Sequence, residues 1–256
     1  MKFTEKQKSM TKLGRRLSLL VSAVKRIRET ARNASSPHFV NEYTALVKSL
    51  IEKHPLDEAM SLAVGGGDYD DIGMLLTEIV KACGITGDEH LVDLGCGSGR
   101  LAKHLGIAFP QLDYFGIDVV QELIDYAATK APPHFRFALH HDLSIPCPDN
   151  SVDIVAAFSI FTHLYHEESF TYLKDIRRAL RPDGRVVFSI LEFAHHWPHF
   201  EALTASHQTN RTRELTMFIE RAQVAIWADA LRMEIVEFNP GPPTYQTVVV
   251  LRKPLA

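Results

Sequence analysis

His90-Leu-Val-Asp-Leu-Gly-Cys-Gly-Ser-Gly-Arg100 decides the reading of this 256-residue chain. Residues of strand character, His90–Leu94, run straight into a glycine-rich turn, and a helical pattern follows near 99–108. Glycines let the backbone turn sharply and let a ligand approach where a side chain would collide. The helix behind them offers unpaired N–H groups and a positive dipole end to an anionic group. Alone, the stretch names no ligand: Gly97-Ser-Gly99-Arg-Leu-Ala102 also satisfies a loose dinucleotide fingerprint. A turn that binds nothing is the other reading.

The next strand narrows the choice. Tyr114-Phe-Gly-Ile-Asp118 places a carboxylate at its C-terminal end, roughly twenty residues beyond the last glycine. In a doubly wound sheet such an acid lies beside the cofactor ribose and accepts hydrogen bonds from both hydroxyls. A nicotinamide cofactor would satisfy that position equally. Further strands are expected near 134–139, 152–158 and 185–191, alternating with helices near 120–130, 167–180 and 213–231. The alternation calls for a parallel sheet covered on both faces. The ending differs. Glu234–Phe238 and Thr247–Arg252 are joined by too few residues for a helical crossover, so they form an antiparallel hairpin.

Working outward, Gly65-Gly66-Gly67 and the acidic run Asp68-Tyr69-Asp70-Asp71 precede a helix at about 72–83, and another helical pattern spans 40–54. Residues 1–32 hold ten Lys and Arg against Glu5 and Glu29, while the whole chain has a net charge of −3. The remainder is therefore acidic, which argues against nucleic acid as partner. In that arm Leu13, Leu17, Leu20, Val21, Val24 and Ile27 make one apolar face on a basic helix. Residues 11–32 read as a contact to the chain's own domain or a sister subunit, or as a membrane-surface element. An Arg-rich organellar presequence is a third option. No apolar stretch approaches the roughly 18 residues of a membrane span. Cys83, Cys96 and Cys147 form no ligand pattern and read as reduced thiols, so a cytoplasmic setting is expected, with a peripheral membrane position as a variant. The domain division expected is a basic helical extension over 1–64 and a main domain over 65–256, with an insertion at about 192–212.

Over about residues 65–252 the chain resembles the class I S-adenosylmethionine-dependent methyltransferases. Val92-Asp-Leu-Gly-Cys-Gly-Ser-Gly-Arg100 is similar to their first motif, and Gly116-Ile-Asp118 to their ribose-binding acid. Asp142-Leu143, followed by Ile145–Asp153, resembles the segment that recognises adenine; Ala156–His163 resembles the strand and loop near the transferred methyl. Leu180-Arg-Pro-Asp-Gly184 resembles the turn before the fifth strand, with Asp183 where the family has a first glycine. Val64–Gly73 and Thr162-His-Leu resemble a bacterial subgroup linked to sugar or cell-surface glycan modification. The resemblance implies an α/β, Rossmann-like, doubly wound, seven-stranded, mostly parallel sheet with a C-terminal antiparallel hairpin, plus the N-terminal helical extension. It also implies S-adenosyl-L-methionine as cofactor, bound by Asp93, Gly95, Cys96, Gly97, Gly99, Asp118, Val119, Asp142, Leu143 and Phe158. Tyr69 and Asp68 are expected to close the methionine end.

Methyl transfer is chiefly a matter of placing two reactants at near-attack distance, worth up to about 7–11 kcal/mol. An alcohol acceptor also loses a proton, and histidine is the usual agent. His163, just after the fourth strand, is the first candidate base; His166 and Glu192 are the others. His195, His196 and His199 lack a fourth ligand at sensible spacing, so no metal is expected. The expected function is methylation of a small molecule or glycan, at a hydroxyl. A nucleic-acid methyltransferase is the second reading, but Phe158-Ser-Ile-Phe161 lacks the Asp/Asn-Pro-Pro-aromatic loop of amino-methylating enzymes. A non-catalytic, cofactor-binding regulatory protein is the third.

Overall fold

The computed structural model describes residues 37–207, 215–239 and 246–255. The basic arm, with its expected helix over 11–32, lies outside the described residues. Residues Phe39–Ala256 form one compact unit. Helices α1 (His38–Lys53) and α2 (Leu56–Ala63) thus pack with the main domain, which begins well before residue 65. Val47 of α1 and Met60 and Ala63 of α2 bury against Val120, Leu123 and Tyr126. Burying a side chain of this kind stabilises by roughly 1.5–3 kcal/mol, which anchors both helices.

Helix α3 (Tyr69–Ala82) starts where Asp68 caps it, its Oδ1 accepting from the Asp70 and Asp71 N–H groups at 2.9 Å each. The α/β core follows: β1 (His90–Leu94), α4 (Arg100–Ala108), β2 (Asp113–Asp118), α5 (Gln121–Lys130), β3 (Arg136–Leu139), β4 (Val152–Ala157), α6 (His166–Ala179) and β5 (Leu180–Ile190). Then come α7 (Phe193–His207), α8 (Arg221–Ala230), β6 (Glu234–Asn239) and β7 (Thr247–Arg252). The seven strands lie in the order β3-β2-β1-β4-β5-β7-β6. The first five are parallel, and β7 runs antiparallel between β5 and β6. Alternation divides the core: Val92, Leu94 and Phe188 face one helical layer, Leu91, Tyr114 and Ile154 the other.

Two local expectations differ. Residues 192–212 are expected as a long connection; Phe193–His207 is instead helical, bent at His196 just before Pro198. The helix expected over 213–231 is reduced to Arg221–Ala230, because Met217 and Ile219 donate their N–H groups to Thr162 O and Leu191 O, both at 2.8 Å. Asp183, in the place of the family's glycine, holds φ +66. Among the described residues no helix is long and apolar enough to cross a membrane.

Candidate functional site

The carboxyl ends of β1, β2 and β4 open on a cavity of about 480 Å³, within the roughly 300–1,000 Å³ of small-molecule sites. Its floor is the turn between β1 and α4. Gly95 and Cys96 donate their N–H groups to Ile117 O at 2.8 and 3.0 Å, which ties the turn to β2. Gly97 and Gly99 hold φ of +54 and +86. A Cβ on Gly97 would lie 2.6 Å from Val64 Cγ1, and one on Gly99 2.8 Å from Ala127. Only glycine meets both the conformation and the approach at these two places.

Asp118 ends β2 at the cavity wall. Its Oδ2 accepts from Gly97 N–H at 2.9 Å and its Oδ1 from Val120 N–H at 3.0 Å. Each carboxylate oxygen retains capacity for a further hydrogen bond. Surrounding protein raises its pKa, and the backbone N–H groups oppose that rise.

Asp93, on β1, is 3% exposed and also lines the cavity. The Tyr114 hydroxyl donates to its Oδ2 at 2.5 Å. Burial pushes this carboxyl up to about 7; the Tyr114 bond opposes the rise and the negative Asp118 adds to it. In the unfolded chain the same group titrates near ~4, so folding takes up a proton between the two values. Stability is therefore lost as pH rises through that window. Between about pH 5 and pH 8 the unfolding temperature of the wild type should fall more steeply than that of Asp93→Asn, which keeps an acceptor for Tyr114 without a charge. Equal slopes in thermal unfolding would contradict this.

The structure brings Asp93, Gly95, Cys96, Gly97, Asp118, Val119, Phe158 and His163 into one lining. It does not bring the other expected residues there. Gly99 lies behind the turn against α5. Tyr69 is engaged by the loop itself: its hydroxyl donates to Ser98 O at 2.6 Å, and Arg100 lies 5.5 Å from its ring centroid. Asp142 is exposed and Leu143 packs on the core, because the turn Asp142–Ser144 bends back on itself through Ser144 N–H to Asp142 O at 2.8 Å. In that region the cavity wall is instead His140 and Tyr172. His166 sits against Trp227, with its Nε2 3.2 Å from Phe218 O. Glu192 is 2% exposed and engaged elsewhere: Arg221 Nε donates to Oε1 at 2.7 Å and Thr247 Oγ1 to Oε2 at 2.6 Å. Burial would raise its pKa, but Arg221 and Thr247 hold it below the usual carboxylate range. It is an ionic clamp between α7, α8 and β7.

Arg100, the first residue of α4, is buried. Its guanidinium donates to Val64 O, Ser61 O and Gly66 O at 3.1, 3.0 and 2.6 Å, holding the Gly65–Gly67 segment beside the cavity. His163 Nδ1 lies 2.9 Å from Leu215 O. A carbonyl only accepts, so Nδ1 carries the proton in the neutral ring and Nε2 is the position that takes up a second one. Tyr43 of α1 meets this ring edge-on at 5.4 Å.

This lining fits an adenosyl sulfonium compound. Asp118 offers acceptors for a diol, Asp93 a carboxylate for an ammonium, and Ile117, Val119 and Leu123 an apolar wall for a flat base.

A family described as a methyltransferase domain matches residues 91–184. A malonyl-[acyl-carrier protein] O-methyltransferase of Hahella chejuensis is 24% identical over 199 residues, spanning 72% of this chain and 70% of that protein. The O-methyltransferase resE of Aspergillus sclerotiorum is 29% identical over 126 residues, 47% of this chain and 46% of its own. Among solved structures, the magnesium protoporphyrin IX methyltransferase of Synechocystis with bound SAH aligns with a TM-score of 0.58 at 15% identity, covering 76% of this chain and 86% of that one. A Methanosarcina mazei SAM-dependent methyltransferase aligns with a TM-score of 0.56 at 20% identity, covering 70% and 98%.

Proposed function

We propose that this chain, which belongs to the class I S-adenosylmethionine-dependent methyltransferases, methylates an oxygen of a small organic acceptor, a hydroxyl on a largely apolar body. The observation that carries this reading is the shared lining of one cavity by Asp118, the glycine turn and His163. When bound, S-adenosylmethionine supplies a methyl group on a cationic sulfur, whose bonding pair stays with the sulfur on transfer. The chain's own residues do the rest. Asp118 holds the ribose diol, Asp93 meets the ammonium, and the start of α4 faces the carboxylate. His163, its Nδ1 proton directed at Leu215 O, receives the acceptor's hydroxyl proton at Nε2.

Oxygen as the methylated atom is supported by the relatives named as O-methyltransferases. An apolar body is supported by Phe39, Tyr43, Leu46 and Leu62, which form the wall supplied by α1 and α2. A glycan would leave its many hydroxyls against that wall without partners, at a cost of about 1–3 kcal/mol for each unpaired group. The three thiols, two of them buried, suit a reducing cytoplasmic setting.

His163→Asn tests the base. It keeps a donor near Leu215 and removes the proton-accepting nitrogen, so kcat should drop about 100-fold or more while affinity for S-adenosylhomocysteine stays within about twofold. An unchanged kcat would remove His163 from the mechanism.

A further inference from the structure

Beyond the expected residues, three polar side chains converge at the carboxyl edge of three neighbouring strands. Ser159 follows β4, Ser189 stands near the end of β5, and Gln246 precedes β7. They close a ring of hydrogen bonds. Ser159 N–H donates to Ser189 Oγ at 2.7 Å, Ser189 O–H donates to Gln246 Oε1 at 2.7 Å, and Gln246 Nε2 donates to Ser159 Oγ at 3.1 Å. Ser189 is fully buried beneath the other two, whereas Ser159 and Gln246 both line the cavity.

The directions of these bonds fix one outcome. Ser189 Oγ accepts from a backbone N–H, so its own proton goes to Gln246 Oε1. Gln246 must then present its amide nitrogen to Ser159, whose oxygen is occupied as an acceptor. The Ser159 hydroxyl is left as a donor, strengthened by the amide that donates to it. Its backbone holds φ +58, a left-handed conformation that is strained for a non-glycine residue. Such strain persists where surrounding contacts over-determine it, and it concentrates at ligand sites. Here the ring and the Thr162 hydroxyl, which donates to Ser159 O at 3.1 Å, hold it in place.

We propose that Ser159 is the acceptor-orienting donor of this cavity, with Gln246 and Ser189 as the residues that position it, and that the acceptor carries a second oxygen beside the one that is methylated. The proposal rests on the methyl-transfer reading above. A hydrogen bond donated to the attacking oxygen would draw electron density from it and lower its nucleophilicity, so the partner assigned to Ser159 is the neighbouring oxygen. With His163 lining the same cavity, the substrate class is a hydroxyl flanked by a carbonyl, carboxylate or second hydroxyl oxygen on an otherwise apolar skeleton.

The test uses the full chain saturated with S-adenosylhomocysteine, and 2-hydroxybenzoate and 4-hydroxybenzoate as probes, with binding read by calorimetry. The wild type should prefer the 2-isomer by about tenfold, a hydrogen bond's worth. Ser159→Gly relieves the φ +58 strain while deleting the hydroxyl. It should unfold at the same or a higher temperature, bind S-adenosylhomocysteine within about twofold, and lose the isomer preference. Gln246→Ala should lose it as well. A wild type without the preference, binding of neither isomer, or a preference that survives Ser159→Gly would each overturn the proposal. Failure of S-adenosylhomocysteine itself to bind the wild type would instead bring down the methyl-transfer reading beneath it.

Discussion

Asp118→Ala should lower affinity for S-adenosylhomocysteine by about 100-fold or more. Two hydrogen bonds from ribose hydroxyls to a charged group contribute about 1.5–3 kcal/mol each, and every 1.4 kcal/mol is tenfold. The substitution also leaves the Gly97 and Val120 N–H groups without the oxygens that now order the turn, at 2.9 and 3.0 Å. Asp118→Asn is a sharper probe. Its amide has one oxygen and one NH₂ group where the native side chain has two acceptors, so one of those N–H groups faces a donor. An affinity between alanine and wild type is expected from it. Calorimetric titration, with thermal unfolding to confirm folding, reads both. Wild-type affinity in Asp118→Ala would show that the ribose lies elsewhere.

The second large effect is Gly97→Arg, which should abolish measurable binding. Any side chain there meets two obstacles: φ of +54 and a Cβ placed 2.6 Å from Val64 Cγ1. The remainder of an arginine has to enter the cavity, where its guanidinium would meet Asp93 and Asp118 in the place of the cofactor. The protein should still fold, with an unfolding temperature lowered by several degrees for roughly 1–2 kcal/mol of backbone strain. Gly97→Ala separates the two causes, since it carries the strain without filling the cavity, and should retain weakened binding. Full binding by Gly97→Arg would remove the glycine turn from the site.

These two positions were legible in the sequence because both the turn and the acid express local rules. A strand running into closely spaced glycines allows few structures, and the end of the next parallel strand must lie beside it. The closing hairpin follows from spacing in the same way. Other residues answer to partners far away in sequence. Glu192 reads as a site acid because it ends a strand at the functional edge; Arg221, 29 residues on, claims it. Asp142 reads as an adenine contact by its place in a motif, yet the local bend exposes it and leaves His140 and Tyr172 on the wall. Gln246 carries no local signal. It meets Ser159 across a separation of 87 residues, only because β7 inserts antiparallel beside β5. The α1 wall of Phe39 and Tyr43 is a tertiary fact of the same kind: amphipathic spacing shows a helix and not what its face covers.

The most direct measurement is a crystal structure of the full chain grown with S-adenosylhomocysteine. Both ribose hydroxyls should lie about 2.6–3.2 Å from the Asp118 carboxylate, with the sulfur turned toward the wall that carries Ser159 and His163. Density for the compound anywhere else, or a ribose that leaves Asp118 unengaged, would contradict the assignment at its root.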